Sequence, residues 1–242
     1  ESAAGRRPDG RRHAYAFPAV VVAALAHGAQ VDGARADVAG HHFAVALEAA
    51  AGENHLAVQT RGNVAAAEHA PAMLAGGTQD ITNTMVEDFR LNEVLRMILE
   101  TMLRALGFQR IVFCLRDPKT ECLTGRFGLG HGVEGVTPHF RVALKPGPGA
   151  APDLFTAVCL KGADTLISDT AVGNIASRLP RWYGQHVGAP AFLLLPLLMK
   201  GAPFALIYAD KDSAGGIALG EKELSLLRTL RNQAVMAFRQ SA

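Results

Sequence analysis

The sequence predicts an α+β fold, in which a sheet of antiparallel strands is combined with two long helices. The stretch Phe192–Asp210 reads as two apolar strands around a turn at Lys200-Gly201, and such bounded apolar runs are typical of buried strands. Two segments, Ile81–Leu106 and Leu224–Phe238, carry apolar residues mostly at three- and four-residue steps, which predicts amphipathic helices. Shorter runs that alternate between apolar and polar residues lie between the two helices.

The hairpin at the centre of this prediction consists of strands Phe192–Met199 and Pro203–Asp210. Gly201 supplies the positive φ that a short hairpin turn usually requires. Pro196 has no N–H to donate to a neighbouring strand, so we expect a bulge, an interruption or a local sheet edge there.

The first helix is predicted as one long helix from Thr78 to Leu106, stopped by Gly107. The second is predicted to start at Gly220 or its neighbour, with Glu221 and Glu223 in the first turn, where negative charge is favoured. Both apolar stripes are wide, and one sheet face covers only part of them. We therefore expect the surplus apolar surface to need a partner.

Short strands and helices fill the region between the two helices. Gly128, Gly130 and Gly132 are predicted to be loop residues, because no strand–GxGxxG–helix unit surrounds them. The predicted strands are Gln109–Arg116, Glu121–Gly128, His139–Leu144 and Asp164–Ser168, and the predicted short helices are Pro152–Lys161 and Asp169–Leu179.

Residues 1–76 differ from the rest of the chain and are predicted to be a separate segment or linker. They are rich in Ala and sustain no helical or strand period, and Arg61-Gly62-Asn63 reads as a turn. Six of the nine histidines lie here, but their spacing matches no standard ligand pattern and no metal site is predicted. These histidines are His13, His27, His41, His42, His55 and His69.

Composition restricts the function classes. A formal net charge of +2 gives no argument for binding nucleic acid. No apolar run approaches the ~20 residues that span a bilayer. Three cysteines without CxxC spacing argue against a disulfide framework and against a thiolate zinc site. We expect a cytoplasmic location and a chain that is part of a longer protein.

The order of these elements resembles that of a GAF domain over about residues 80–241. Leu95–Phe108 running into Arg110–Phe113 resembles the family's first helix and strand. Leu195-Pro196-Leu197 with Leu206–Asp210 resembles its signature hairpin, and Leu224–Ala234 resembles its closing helix.

The resemblance implies a GAF-like (PAS/profilin-like) fold: a six-stranded antiparallel sheet with long helices on one face and short helices and loops over a ligand cavity on the other. It places the domain at residues 77–242. Similar bacterial chains carry an HD-type output domain upstream, so residues 1–76 are interpreted as its possible linker. Such modules usually sense small molecules or hold dimers together in signalling proteins.

By the family's topology, eight residues are candidates to line the cavity. Trp182 and Tyr183 are the most suggestive, because large rings with polar groups beside a loop can form the lid of a pocket. The alternative is that these rings fill a closed core that binds no ligand. The candidates are Arg126, Phe140, Phe155, Asp169, Asn174, Trp182, Tyr183 and Phe192.

Two known ligand classes of the family are disfavoured. Cyclic-nucleotide-binding members carry an Asn-Lys pair with Phe and Asp-Glu, whereas Asn174 is followed by Ile175. Bilin attachment uses a Cys commonly beside a His, and no Cys of this chain has a neighbouring His. The cofactor or ligand therefore stays unidentified.

The resemblance leaves three functions open. The preferred one is a non-catalytic sensory or regulatory module that binds a small molecule, or dimerises through helices near 80–106 and 220–240, or both. The second is a thiol-dependent reductase of the free-methionine-sulfoxide-reductase type, using Cys114, Cys122 or Cys159, of which Cys114 and Cys122 lie on adjacent predicted strands. The third is a ligand-free dimerisation spacer.

Overall fold

The computed structural model describes residues 60–145 and 151–241, and the predictions for residues 1–59 lie outside this part. This part contains six strands, which form one sheet, and six α-helices. The helices are α1 (Thr60–Val86), α2 (Leu91–Leu106), α3 (Val133–Val136), α4 (Leu154–Lys161), α5 (Gly173–Ala176) and α6 (Glu221–Gln240). The strands are β1 (Arg110–Asp117), β2 (Cys122–Gly130), β3 (Arg141–Ala143), β4 (Thr165–Ile167), β5 (Ala191–Met199) and β6 (Ala202–Lys211).

The six strands form one antiparallel sheet in the order β3-β2-β1-β6-β5-β4. Helices α1, α2 and α6 cover one face, which we call the helix face, and the shorter helical elements α3, α4 and α5 cover the other, the far face. This is the α+β architecture that the sequence predicts.

The predicted hairpin forms β5 and β6, and its strands are buried on both faces. Successive residues alternate, so that Leu193 and Ile207 pack on the helix face while Phe192 and Leu206 pack on the far face. Two residues with positive φ, Lys200 at 51° and Gly201 at 79°, form the turn, as a two-residue hairpin of primed type requires.

Pro196 lies at a local sheet edge, as predicted. The outer strand β4 pairs only with residues 192–194 of β5. The missing N–H of Pro196 therefore faces no ladder partner on that side.

The prediction of one long helix is wrong, because the chain turns at residues 87–90 and forms α1 and α2 as an antiparallel pair. A Cβ added to Gly77 on α1 would lie 2.4 Å from Thr101 Cγ2 on α2, so the two helices are in close contact there. The reversal leaves Leu74 and Ile81 with no exposed surface, whereas a continuous helix would carry both into solvent at a cost of ~1.5–3 kcal/mol each. Helix α1 thus covers part of the stripe that was expected to need a partner.

Helix α1 also runs through the predicted boundary at residues 76–77 and includes Arg61-Gly62-Asn63, so the turn predicted there is wrong. The helix predicted over Asp169–Leu179 is shortened to α5, whereas the predicted end of α2 and start of α4 agree closely with the structure. Gly107 follows α2 at a φ of 60°, and the Asp153 carboxylate caps α4 by accepting from the Thr156 N–H at 2.8 Å.

Two predictions near the β2–β3 connection are corrected. Gly130 lies at the end of β2 rather than in a loop, whereas Gly128 lies in β2 as the predicted strand Glu121–Gly128 has it. A Cβ on Gly128 would meet Val133 Cγ2 at 2.4 Å, so glycine there permits the close packing of α3. The predicted strand His139–Leu144 is shortened to β3, because a 3₁₀ turn over Thr137–His139 precedes it.

Candidate functional site

The candidate site is the compartment between the far face and the segments that cover it. Sheet strands β1, β5 and β6 form its floor, and α4 lies across it. The β4–β5 connection covers it with α5 and a five-residue π-helical turn, Tyr183–Val187. Single π-helical turns are rare in proteins, and those that occur are often at functional sites.

Six aromatic rings, which we call the aromatic cluster, fill this compartment. Phe155 on α4 lies at their centre, with ring centroids 5.1 Å from Trp182 and 5.3 Å from Phe192. Five of the rings have at most 1% of their surface exposed, and Trp182 is half-buried. The members are Phe140, Phe155, Trp182, Tyr183, Phe192 and Tyr208.

A buried polar network lies beside the rings and joins β1 to β6. The Tyr208 hydroxyl donates to Asp210 Oδ2 at 2.8 Å. Arg110 binds the same carboxylate through Nε at 2.9 Å and Nη2 at 2.8 Å. The Arg110 guanidinium also donates to the Val187 carbonyl at 3.3 Å, which ties the π-helical turn to the sheet.

The second buried tyrosine, Tyr183, links parts of the β4–β5 connection to each other. The Tyr183 hydroxyl donates to the Ala189 carbonyl at 2.7 Å. The same carbonyl accepts from the Thr170 hydroxyl at 3.1 Å. Both ends of the β4–β5 connection are therefore held at one carbonyl oxygen.

Burial dominates the electrostatics of this network. Loss of hydration raises the pKa of Asp210, and the Arg110 guanidinium opposes that shift. Loss of hydration also raises the pKa of Tyr208 and of Tyr183 well above the ordinary value. Both phenols are therefore neutral hydrogen-bond donors over the physiological pH range.

The structure brings five of the eight sequence-predicted residues together in the aromatic cluster, namely Phe140, Phe155, Trp182, Tyr183 and Phe192. The other three are not members of the aromatic cluster. Arg126 is exposed on β2, where its charge acts on Asp117. Asp169 accepts from the Ala171 N–H at 2.8 Å in a local turn, and Asn174 is half-buried on α5.

Sequence reasoning missed Tyr208, Asp210 and Arg110. The two-residue period of β6 contains part of the signal, because Tyr208 and Asp210 alternate with residues of the helix face. The Arg110 partnership has no local signal, because it joins residues 100 apart in sequence.

A family model described as the GAF domain matches residues 90–238, which is more than half of the chain. The chain belongs to the GAF domain family. No curated protein matches the sequence significantly.

Solved GAF domains share the fold. One from a phosphoenolpyruvate-protein phosphotransferase of Coxiella burnetii is 13% identical with a TM-score of 0.55, over 71% of this chain and 95% of that one. The phycoerythrobilin-bound GAF domain of a cyanobacterial phytochrome is 12% identical with a TM-score of 0.53, over 70% and 96%. A GAF domain/HD domain protein from Geobacter sulfurreducens is 12% identical with a TM-score of 0.50, over 69% and 96%. At such identities the likeness shows the fold alone.

All three cysteines of this GAF domain are buried. The register places Cys114 opposite Gly125 and Cys122 opposite Asp117, so Cys114 and Cys122 lie on adjacent strands but do not face each other. Burial raises the pKa of the Cys159 thiol to about 12 and that of the Cys114 thiol further. Because the thiolate is the reactive form, both are poor nucleophiles.

The helix side of the domain carries two open concavities. A groove of about 510 Å³ lies between α1 and α2 and is lined by residues such as Met73 and Met97. A second, of about 710 Å³, lies at the α1–α2 connection beside Gln240. Neither touches the aromatic cluster.

Residues 60–145 and 151–241 contain no helix with the length and hydropathy to cross a membrane. They also contain no group of three His, Cys, Asp or Glu side chains placed to hold a metal ion. The histidines predicted not to bind metal lie outside this part, apart from His69, which is exposed on α1.

Proposed function

We propose that the chain is a non-catalytic regulatory GAF module of bacterial signal transduction that binds a small molecule at the aromatic cluster. The observation that carries this proposal is the combination of six packed rings with a buried network of tyrosine hydroxyls, carboxylate and guanidinium. Mostly apolar walls with a few placed polar groups are typical of small-molecule sites.

The chemistry of the walls suggests the ligand class. Aromatic walls favour a planar, largely apolar molecule. The two phenols already donate their hydrogens to Ala189 and Asp210, so their oxygens favour one or two hydrogen-bond donors on the ligand. Because the rings fill the compartment, such a ligand must take the place of Trp182 and its neighbours. The covering segment 168–190 is built from short helical turns, which open at a lower free-energy cost than the long helices do.

Native mass spectrometry of the purified chain tests this proposal. We expect an adduct that is released on denaturation and whose mass gives the ligand class. Tyr183→Phe keeps the ring and removes one hydroxyl, so adduct occupancy should fall. Phe204→Leu, on the helix face, is the matched control and should leave occupancy unchanged. Equal loss in both variants, or no adduct together with no rise in the unfolding temperature on addition of indole, contradicts ligand binding at the cluster.

The second candidate is the ligand-free dimerisation module, and the filled compartment favours it. Dimerisation would use the helices near 80–106 and 220–240, where Val86 and Met236 leave 83% and 51% of their surface exposed. Light scattering of the intact chain measures its mass. We expect a dimer that Met236→Glu weakens and that Leu160→Glu, at an equally exposed apolar residue of α4, does not. A monomer at micromolar concentration contradicts it.

The structure disfavours the thiol-dependent reductase. All three candidate nucleophiles are buried thiols, and burial raises the pKa of Cys114 and Cys159, which disfavours the reactive thiolate. Thiol titration of the folded chain should give no reaction until denaturant is added. Rapid reaction of any of the three thiols would revive that hypothesis.

A further inference from the structure

Arg110 is held in one position by its hydrogen bonds but uses only part of its guanidinium. One edge of the group binds the Asp210 carboxylate, through Nε at 2.9 Å and Nη2 at 2.8 Å. Nη2 also donates to the Val187 carbonyl at 3.3 Å. Nη1 forms no hydrogen bond and no ion pair with any of the described residues, and it is not among their buried unpartnered atoms. Both N–H donors of Nη1 are therefore accessible to solvent.

This guanidinium lies beside the polar side of the aromatic cluster. Asp210 connects it to Tyr208, whose hydroxyl donates to the same carboxylate at 2.8 Å. Its positive charge also acts on Tyr183, where it opposes the rise in the pKa of the phenol. Val187 is the last residue of the π-helical turn that covers the rings. Arg110 thus lies where the sheet, the cluster and the cover meet.

We propose that Nη1 of Arg110 is an anion subsite of the far-face compartment, so that the ligand is a planar aromatic acid whose oxyanion accepts from Nη1. The inference rests on the proposed function, because it concerns the same ligand, and it adds the charge which that ligand carries. A guanidinium has five N–H donors in a rigid fork and binds oxyanions through them. Asp210 occupies one edge of the fork and leaves the other for a second anion.

Asp210 limits the gain from a second anion but does not cancel it. An oxyanion at Nη1 is attracted by the nearer donors and repelled by the carboxylate on the opposite edge. The π-helical turn contributes no acidic residue, and its His186 stacks on His139 with ring centroids 3.5 Å apart. Glu134 of α3, which packs against this turn, is exposed. We therefore expect a moderate preference for an anion rather than absolute selectivity.

Two compounds of the same shape test the subsite. Indole-3-carboxylate is ionised at neutral pH, whereas indole-3-carboxamide is neutral, and both keep the planar ring with its N–H donor. Isothermal titration calorimetry of the intact chain measures the two affinities. Because a hydrogen bond to a charged group is stronger than one to a neutral group, the carboxylate should bind about tenfold more tightly.

Variants at Arg110 assign this preference to the subsite. Arg110→Lys keeps a charge for Asp210 but loses the second edge of the fork, and Arg110→Gln combined with Asp210→Asn removes both charges together. The preference for the carboxylate should disappear in both. Binding of the carboxamide, which needs no charge, shows whether each variant keeps the compartment. Arg126→Gln, at an exposed arginine of β2, is the matched control and should leave the preference unchanged.

The outcomes separate the subsite from the proposed function. Equal binding of the two compounds by the wild type, or a preference that persists in both Arg110 variants, overturns the subsite and leaves ligand binding at the cluster standing. A preference that is lost in Arg126→Gln instead places the anion on β2 and likewise overturns it. If neither compound binds, the proposed function fails together with the subsite.

Discussion

The two faces of the sheet are covered in different ways. On the helix face, long helices bury aliphatic residues such as Leu99 and Leu227, and Gln233 is a rare buried polar side chain there. On the far face, four- to eight-residue helices cover stacked rings, two buried phenols and the Arg110–Asp210 ion pair. One side is a mainly aliphatic layer of long elements in which Phe113 is buried, and the other is a layer of short elements around six packed rings.

This difference separates a scaffold from a candidate sensing surface. Long packed helices tend to open only with the whole domain, whereas short turns can open locally. A buried ion pair contributes little net stability but is costly to break, so it specifies one arrangement of the cover. The far face thus combines a cover that can open with a polar network that defines its closed position.

The largest loss of stability, and the largest difference between the two faces, is expected for Phe155→Ala. Phe155 has no exposed surface and contacts the rings of four other cluster members. We expect a loss of ~3–5 kcal/mol in the free energy of unfolding, because the cavity cannot collapse among rigid rings. Phe204→Ala on the helix face is the control and should cost less, because Phe204 is only partly buried. Equal losses in urea unfolding would show that the two faces are packed equally tightly.

A somewhat smaller loss is expected for Asp210→Ala, which leaves Arg110 without its carboxylate. Arg110 keeps 12% of its side chain exposed while Asp210 has none, so we expect ~3 kcal/mol, the low end for a broken buried pair. Asp164→Ala breaks the matched ion pair with Arg231 and Arg228 of α6, whose side chains are 15% and 39% exposed. That loss should be smaller. The reverse order would place the more critical electrostatic contact on the helix face.

The sequence predicts most of the sheet, because the signals are local. The apolar runs of β5 and β6, the positive φ at Gly201 and the cap at Asp153 each depend on a few neighbouring residues. The break at residues 87–90 has no such signal. It contains no Gly or Pro, and Phe89 continues the apolar period, so only the burial of Leu74 and Ile81 against other elements decides it.

The residues of the candidate site likewise include some that have a local sequence signal and some that have none. The rings of Trp182 and Tyr183 are conspicuous in the sequence as large side chains beside a loop. The Arg110–Asp210–Tyr208 network depends on the pairing of β1 with β6 across the sheet, which no local pattern encodes. Stacking of His139 on His186 likewise requires two covering segments to meet.

A moderate effect is expected for Gln233→Ala, at the polar contact of the helix face. Gln233 Nε2 donates to the Thr78 carbonyl at 3.0 Å and to Thr82 Oγ1 at 2.7 Å, and so fixes α6 against α1. We expect a loss of ~1–2 kcal/mol, the value of buried hydrogen bonds. Asn232→Ala, at the exposed neighbour, should change stability by less than ~0.5 kcal/mol. If Gln233→Ala is neutral, α1 is held by apolar packing alone.

The smallest effect at neutral pH, and the most selective for the far face, is expected from alkaline titration. Within the described residues both tyrosines, Tyr183 and Tyr208, belong to the aromatic cluster, and burial raises the pKa of each. Their contribution to stability is full below the ordinary tyrosine pKa of ~10 and is lost as the pH rises towards the folded-state values. Tyrosinate absorbance of the folded chain should therefore show two of its three tyrosines un-ionised above pH ~10. Tyr183→Phe and Tyr208→Phe should each remove one delayed ionisation. If all three tyrosines ionise near pH ~10 while circular dichroism shows that the chain is still folded, water reaches the buried phenols and the far face is already open.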